Sequence, residues 1–491
     1  MARIRSVKFN ALMNTLLTAS NMLVSLVTIP YVTRVLAVER LGDVTFAQSV
    51  STWVSAFCLI GINVYGVREC AKVRDDAREL ARVVRELLTI ITCTTVVVLS
   101  CFAVAILFVP SFSIIAPLMW MFLVGTLMLS YGVEWFYQGI EQYSYITVRS
   151  VAFKLIALAA TLLLVRQPDD YLMYGGILAL VTCGNNLFNL VRLHKMVDLR
   201  HVDGLNIRRH FRPLVSFGTQ SIAQAIYLSF DSTLLGMLTG GNYEVGLYQL
   251  ATKLKAVLFQ VLNAVLGVFI PRLSHHLATH DIEAFSSLLR KGFGITINVC
   301  VAIACYLLLF AEPVVLLISG EAFEGAVLPV RIIGLVNLLS CVSYFFGLCI
   351  LTPLGREKRL AMANMAGVPV SIVLNVLLDP VLGAVGAAIS ILISEALILC
   401  IQGWYVRDVL PGIVVPRSLV RVFVSNGAAS VCACAAVFYL TQCGMGSVAV
   451  MAMASFAVYS VIDIAVALVL GDETALMFKS LVTDKLHRTR R

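Results

Sequence analysis

Polar side chains recur at helical spacing inside four long apolar segments of this chain. They are Asn14, Thr18, Asn21, Ser25 and Thr28 in the first segment, Thr45, Gln48, Thr52 and Ser55 in the second, Gln220, Gln224, Tyr227 and Asp231 in the seventh, and Gln249, Lys253, Gln260 and Asn263 in the eighth. Steps of three, four or seven residues place each set on one face of a helix. Because polar groups at membrane depth face protein or water, these faces predict the lining of a hydrophilic cavity. For any one face, hydroxyl bonding to helix carbonyls is the alternative.

Two charged residues on these faces can pair across a helical hairpin. Asp231 and Lys253 lie at similar distances from the same end of their segments, about 10–12 Å deep at about 1.5 Å per residue. Lys255 is two residues further on, so it cannot share a helix face with Lys253. We therefore favour Lys253, which lies on the polar face, as a substrate-binding residue. We expect Asp231 to act in coupling or gating. The alternative is a purely structural ion pair.

Further charges fall inside apolar segments. Glu134 and Arg149 close the hairpin between the fourth and fifth segments, Lys154 lies about two turns deeper, and Glu395 lies near the middle of the twelfth segment. Each acid could carry a coupling proton or be paired structurally. The cations that favour a negatively charged cargo are Arg34, Arg149, Lys154 and Lys253. A diphosphate would suit these cations, while amide and hydroxyl side chains can bond to sugar hydroxyls.

The composition identifies the elements that position these residues as membrane-spanning helices. Of the 491 residues, 59% are hydrophobic and only 13% are charged, about half the charged share of a soluble chain. Long continuous apolar runs exclude a membrane β-barrel and favour an all-α polytopic protein. The fourteen segments are about 11–31, 44–66, 87–108, 115–135, 146–166, 171–192, 214–238, 245–271, 294–317, 328–351, 359–380, 384–405, 418–440 and 446–470.

Basic residues predict the orientation of this bundle. Of the 37 Lys and Arg residues, 29 fall on the side of both termini and the even-numbered loops, and four fall on the opposite side. This bias predicts cytoplasmic termini. The net charge of +9 is thus mainly a topology signal, and no nucleic-acid partner is expected. No cleaved signal peptide is expected either, because thirteen further apolar segments follow the first.

The polar faces suggest an internal repeat. They occur on segments one and two and again on seven and eight, which predicts two six-helix lobes facing each other across a cavity. Glu39-Arg-Leu-Gly42 opens segment two, and Glu244-Val-Gly246 opens segment eight about 204 residues later. The predicted division is an N-terminal lobe over 1–200, a C-terminal lobe over 201–410, and an appended helix pair with a basic tail over 411–491.

The sequence gives no sign of enzymatic activity. It has no G-x-x-x-x-G-K-[ST] phosphate loop, so we expect no ATP hydrolysis. We expect no metal site, no cofactor and no catalytic residues. His276 and His280 are interpreted as solvated loop residues. The loops on the exterior side are short, which argues against a membrane polymerase or ligase that joins sugars.

Five stretches together resemble a known family. They are IPYVTRVLAVERLGDVTFAQSV (29–50), GVEWFYQGIEQYSYITVRSVAFKL (132–155), FDSTLLGMLTGGNYEVGLYQLATKL (230–254), FIPRLS (269–274) and the run from Ile350 to Glu395. They resemble the bacterial polysaccharide repeat-unit flippases (Wzx-type) of the multidrug/oligosaccharidyl-lipid/polysaccharide (MOP) exporter superfamily. Family patterns match Arg34, Glu134, Gln138, Asp231, Lys253, Arg272 and Arg356. The chain departs from the family in having Leu36-Ala37-Val38 where Leu-Gly-Pro is usual.

The resemblance implies twelve to fourteen helices in two MATE-like lobes in the bacterial cytoplasmic membrane. It implies translocation of polyprenyl-diphosphate-linked oligosaccharide to the outer leaflet by alternating access, without ATP and driven by an H⁺ or Na⁺ gradient. Expected partners are that substrate, membrane lipids, a polysaccharide polymerase and chain-length proteins. A cation-coupled multidrug exporter with the same fold is the first alternative, and a membrane polymerase or ligase is the second.

Overall fold

The computed structural model describes residues 7–199, 204–444, 446–471 and 476. Every regular element in this part of the chain is helical, and it contains no β-strand. Helices satisfy all of their backbone hydrogen bonds within one segment, which a chain surrounded by lipid requires. The prediction of an all-helical polytopic membrane protein is confirmed.

The chain packs as two compact units, residues 1–249 and 250–491. The helices that lie in the first unit are α1 (Val7–Val35), α2 (Val38–Leu59), α3 (Ile62–Val73), α4 (Ala77–Phe108), α5 (Pro110–Ser113), α6 (Ala116–Ser130), α7 (Glu134–Gly139), α8 (Tyr143–Leu164), α9 (Tyr171–Met196) and α10 (Arg208–Leu238). Helix α11 (Tyr243–Ala278) begins in the first unit and continues into the second.

The second unit contains the remaining helices. They are α12 (Ile282–Ser319), α13 (Val327–Phe345), α14 (Glu357–Leu382), α15 (Ala384–Tyr405), α16 (Leu410–Ile413), α17 (Pro416–Gln442) and α18 (Val448–Val469). A 3-10 turn over Glu321–Ala326 precedes α13, and a π-helical turn over Phe346–Leu351 follows it. The C-terminal pair α17 and α18 packs on α12, where the Tyr306 hydroxyl lies 3.1 Å from that of Ser455. The three-part division predicted from the repeat stays a prediction.

Each of the fourteen predicted apolar segments coincides with a helix or a broken helix. Twelve pass for membrane spans by length and apolarity, and the bent pair α2–α3 makes a thirteenth. Helix α10 has 31 residues but is too polar to pass. The residues responsible include Gln220, Gln224 and Asp231, which form the predicted polar face of that helix.

The break between α2 and α3 lies at Ile60 and Gly61, both of which have positive φ angles (42° and 74°). A Cβ atom on Gly61 would lie 2.5 Å from the backbone carbon of Phe217 in α10. Only glycine meets both demands, a left-handed backbone and the close approach of a second helix. The bend of 40° therefore depends on this position.

Loops predicted on the same side of the membrane lie together in the first unit. On one side, Arg40 Nε lies 3.5 Å from Asp169 Oδ1. On the other, Arg74 Nη1 lies 2.6 Å from Glu141 Oε1, and buried Glu86 accepts from Arg209 Nη2 at 2.5 Å. The arrangement follows the predicted alternation of loops. Which of the two sides is cytoplasmic stays a prediction.

Candidate functional site

An ion pair joins Glu134 and Arg149 in the first unit. Glu134 begins the short helix α7, and Arg149 lies in the second turn of α8. Arg149 Nη2 lies 3.6 Å from Glu134 Oε2, as expected for residues that close one hairpin. The Arg149 side chain is 5% exposed, whereas that of Glu134 is 39% exposed. The pair therefore has a buried cation and an accessible anion.

The Arg149 guanidinium retains bonding capacity. Its Nε donates to Asn185 Oδ1 at 2.7 Å, and its carbon lies 5.2 Å from the centre of the Tyr145 ring. Nη1 and Nη2 are buried and have no hydrogen-bond acceptor among the described residues. A buried charge is costly unless it is paired and hydrogen-bonded. These two nitrogens could donate to an added anion. Lys154 is half-buried on the same helix and has a favourable electrostatic interaction with Glu134.

A polar cavity of about 330 Å³ lies next to this ion pair. Its uncharged polar lining residues are Ser55, Asn63, Ser130, Gln138 and Asn186, and Glu134 supplies its one charge. The volume lies at the lower end of the range of small-ligand sites, and the amides and hydroxyls suit bonding to sugar hydroxyls. Sequence reasoning missed the three lining residues Asn63, Ser130 and Asn186. The sequence does show each of the three as a polar residue inside or beside an apolar segment. It does not show which way each side chain points.

The predicted polar faces of the first unit divide by chemistry. On α2, the hydroxyls of Thr45, Thr52 and Ser55 donate to backbone carbonyls of their own helix at 2.7–2.9 Å. These hydroxyls therefore bond to helix carbonyls, which was the alternative to lining a cavity. The amide-bearing residues Asn21, Gln220 and Gln224 are exposed, and Gln48, Ser25, Tyr227 and Gln249 are half-buried. Asn21, Gln220 and Gln224, together with Thr52, are therefore the accessible part of these faces. The Asn14 side chain lies outside the described residues.

An intramembrane ion pair links α11 and α15 in the second unit. Lys255 Nζ lies 3.4 Å from Glu395 Oε1, and the Glu395 side chain is 7% exposed. The sequence interpretation favoured Lys253 over Lys255 because Lys253 shares a face with Gln249 and Gln260. In the structure, Lys255 is the lysine that contacts the predicted coupling acid. Both lysines are half-buried, and the role predicted for Lys253 stays a prediction.

Three further polar contacts involve the same two helices, α11 and α15. Tyr344 donates from its hydroxyl to Asn263 Oδ1. Gln402, one of the last residues of α15, accepts from Ser343 at 2.9 Å and donates to Asn364 at 3.1 Å. Sequence reasoning placed Asn263 on a polar face but did not identify its partner. Gln260, also on that face, is half-buried.

A tight contact joins the start of α2 to the start of α11. A Cβ atom on Gly42 would lie 1.7 Å from the Asn242 carbonyl oxygen, and one on Gly246 would lie 2.1 Å from the Val38 carbonyl oxygen. We call Val38, Gly42, Asn242 and Gly246 the glycine seam. Asn242 Nδ2 also donates to Asp43 Oδ1 at 2.9 Å, so the seam includes a buried polar contact. At Gly42 and Gly246 the two backbones approach too closely for any side chain larger than hydrogen.

Buried Asp231 of α10 lies where α10 contacts α2 and α11. The Tyr248 hydroxyl donates to Asp231 Oδ2 at 3.5 Å, which links α10 to α11 within the first unit. Thr233, two residues on, lies 2.8 Å from the Ser49 hydroxyl of α2. The predicted pairing of Asp231 with Lys253 stays a prediction. Arg34 is exposed at the end of α1, close to where Tyr31 donates to Val165 O at 2.7 Å.

The sequence matches a known family model across more than half of its length. Residues 7–276 match the family described as polysaccharide biosynthesis protein. This chain belongs to the polysaccharide biosynthesis protein family. The matched range contains Glu134, Arg149, the glycine seam and Lys255. Together with its apolar helices, the family makes the chain a multi-pass protein of the bacterial inner membrane.

Two relatives of this polysaccharide biosynthesis protein match over nearly their whole length. One, from Escherichia coli (strain K12), is named "Putative O-antigen transporter" and is 24% identical over 411 residues, which are 82% of this chain and 97% of the relative. The other, from Shigella dysenteriae, has the same name and is 25% identical over 405 residues, 80% of this chain and 98% of the relative.

Two solved structures share the fold of this family member. One is the lipid II flippase MurJ in an inward closed conformation, with a TM-score of 0.64, 11% identity and coverage of 94% of this chain and 99% of MurJ. The other is a multidrug resistance MATE family transporter of the MOP superfamily in an inward-facing conformation, with a TM-score of 0.62 and 12% identity over 80% of this chain and 96% of the other. The likeness confirms the MATE-like fold predicted from the sequence.

Proposed function

We propose that this chain is a flippase that moves polyprenyl-diphosphate-linked oligosaccharide repeat units from the inner to the outer leaflet during surface polysaccharide synthesis. The observation that carries the proposal is buried Arg149, whose two terminal guanidinium nitrogens lack hydrogen-bond acceptors among the described residues. Its ion-pair partner Glu134 lines a polar cavity. A guanidinium matches phosphate oxygens in charge and in geometry.

The relatives support the same class of cargo. Both carry the name "Putative O-antigen transporter", which does not denote an enzyme. The lipid II flippase shares the fold, and its name specifies a lipid-linked substrate. We therefore assign this chain to transport rather than to sugar polymerisation or ligation.

In this proposal, the Glu134–Arg149 pair acts as an exchange site. Glu134 occupies one edge of the guanidinium while the diphosphate is absent. An arriving diphosphate replaces the carboxylate, since it carries more charge and more acceptor oxygens. Arg34, Lys154 and Lys253 supply further positive charge along the route. The amides of Asn21, Gln48, Gln220 and Gln224 bond to the sugars while the lipid tail stays in the bilayer.

Alternating access requires that the two ends of the transport route open in turn. We assign the glycine seam as a contact that breaks in that cycle, because α2 and α11 approach closely there through glycine. Lys255 and Glu395 are assigned to energy coupling. Protonation of Glu395, or an arriving Na⁺, would release Lys255 and change the contact between α11 and α15.

The test measures movement of a lipid-linked oligosaccharide across proteoliposomes that contain the purified protein. Arg149→Gln should lower the initial rate at least tenfold. Arg166→Gln removes an exposed arginine and should leave the rate within twofold of wild type, which makes it the matched control. Full activity of the Arg149→Gln variant would contradict the assigned phosphate site. No movement by the wild-type protein would contradict the function itself.

The multidrug exporter of the same superfamily is the second candidate, because a MATE family transporter shares the fold. Exporters of cationic drugs need acidic cavities, and Glu134 does supply the one charge that lines the described cavity. In the flippase proposal that carboxylate gives way to the diphosphate at Arg149, and the groups assigned to the cargo are cations. Overexpression should therefore give no resistance to cationic dyes in a strain that lacks its own exporters. Resistance that depends on Glu134 would favour the drug exporter over the flippase.

A further inference from the structure

A basic pocket of about 600 Å³ lies in the second unit, and none of the residues assigned to transport lines it. It opens among the start of α12, the short helix α16 and the start of α17. Its four charged lining residues, Arg290, Lys291, Arg417 and Arg421, are all cations. None of the four has a carboxylate oxygen within 4 Å in the part of the chain that the structure describes.

Backbone carbonyls hold two of these arginines in place. Arg290 donates from Nη2 to Gly412 O at 3.2 Å, and Arg421 donates from Nη1 to Gly471 O at 2.9 Å. These contacts fix the position of each side chain without neutralising its charge. The guanidinium donors that remain can bind an anion, and the pre-ordering of both side chains lowers the entropy cost of binding.

The remaining wall of the pocket is almost entirely apolar. Its apolar side chains include Phe293, Ile297, Ile413, Leu419 and Val422, and Ser418 is its one uncharged polar side chain. From Arg290 to Ile297, α12 advances seven residues, which is about 10 Å along its axis. The pocket therefore changes from charged to apolar over the length that separates a phospholipid phosphate from its acyl chains.

We infer that this pocket binds the headgroup of an anionic phospholipid, with its phosphodiester against Arg290, Arg417 and Arg421 and its upper acyl carbons against the apolar wall. The four cations belong to the side of the chain that carries 29 of its 37 Lys and Arg residues, the side predicted to face the cytoplasm. Basic pockets between membrane helices on that side bind anionic headgroups. The shortage of amides and hydroxyls disfavours an oligosaccharide, which needs partners for its own hydroxyls.

The full-length protein is stripped of lipid in detergent and titrated with cardiolipin, phosphatidylglycerol or phosphatidylethanolamine, and bound lipid is counted by native mass spectrometry. Both anionic lipids should bind at least tenfold more tightly than phosphatidylethanolamine. The triple variant R290Q/R417Q/R421Q should lose that preference. The matched control R78Q/K195Q/K358Q removes three exposed cations from the same predicted side and should keep it.

Three outcomes would overturn the inference. They are equal binding of all three lipids to the wild type, equal loss of binding in the triple variant and its control, and displacement of cardiolipin by a lipid-linked oligosaccharide at equal concentration. The last outcome would assign the pocket to the transport substrate. The conservative variant R417K separates misfolding from loss of the site, since it keeps the charge. It should retain more than half of the wild-type preference for anionic lipid.

Discussion

Gly42 and Gly246 are related by an exchange of partners: each glycine faces the carbonyl oxygen of the residue four positions before the other. These residues are Asn242, opposite Gly42, and Val38, opposite Gly246. The two glycines are 204 positions apart, and so are the two carbonyl residues. A contact between equivalent positions of two repeats has this reciprocal form. An internal repeat in which α2 and α11 occupy corresponding places would produce this arrangement, and that repeat stays a prediction.

Alanine at either glycine should prevent the seam from closing. We expect Gly42→Ala and Gly246→Ala each to lower surface polysaccharide export at least tenfold, because the added carbon would overlap a backbone carbonyl. In a background without the thirteen native cysteines, Ser49→Cys should then react faster with a maleimide that cannot cross membranes. Gly427→Ala in α17 is the control, since a Cβ there meets no atom within 4 Å. Unchanged labelling in both seam variants would show that the contact does not gate access.

Breaking the pair between Lys255 and Glu395 should cost stability, and removing both charges should restore it. Lys255→Met alone leaves a buried carboxylate without its partner, which destabilises by about 3 kcal/mol. The double variant K255M/E395L should unfold in detergent near the wild-type temperature. If the pair also couples transport to an ion gradient, the double variant stays inactive in proteoliposomes. An active double variant would mean that the pair is structural only.

Glu134 and Arg149 should show a smaller coupling energy, because Glu134 is partly exposed. A double-mutant cycle of Glu134→Gln and Arg149→Gln should give a coupling energy of about 1 kcal/mol for unfolding in detergent. The exchange mechanism adds a kinetic prediction. Glu134→Gln should tighten binding of the lipid-linked substrate, because the competing carboxylate is gone. Weaker binding in that variant would contradict the exchange.

The pair of Arg356 and Asp408 should give a pH-dependent contribution to stability. Arg356 Nη2 lies 2.7 Å from Asp408 Oδ2, and this hydrogen bond holds the pKa of the Asp408 carboxyl below its ordinary value. A carboxyl group whose pKa is lowered by folding stabilises the folded state at any pH above its ordinary, unfolded-state pKa. That stabilisation is lost as the pH falls through the lowered pKa of the folded state. Asp408→Asn, which leaves the bond from Arg356 to the Tyr405 carbonyl in place, should therefore lower the unfolding temperature slightly at pH 7 but not below about pH 3. The exposed setting of Asp408 limits the effect to less than about 1 kcal/mol.

The sequence could predict which segments become helices, because apolar length and charge position are properties of the chain itself. It could also pair Glu134 with Arg149, since one short hairpin brings them together. It could not select Lys255 over Lys253 as the partner of Glu395. That choice depends on the rotation of α11 against α15, and these helices are more than a hundred residues apart in the chain. The cavity residues Asn63 and Asn186 were missed for the same reason, because side-chain direction depends on tertiary packing.

The polar character of α10 has a consequence for how the protein is made. This helix carries Asp231 and three arginines at its start, and it is too polar to qualify as a membrane span on composition. An aspartate near the centre of an inserting helix costs about 3 kcal/mol when the helix enters the bilayer alone. Tyr248 of α11 supplies a donor to that carboxylate. We therefore expect α10 to leave the translocon together with α11 as a hairpin, so that the synthesis of α11 completes the insertion of its predecessor.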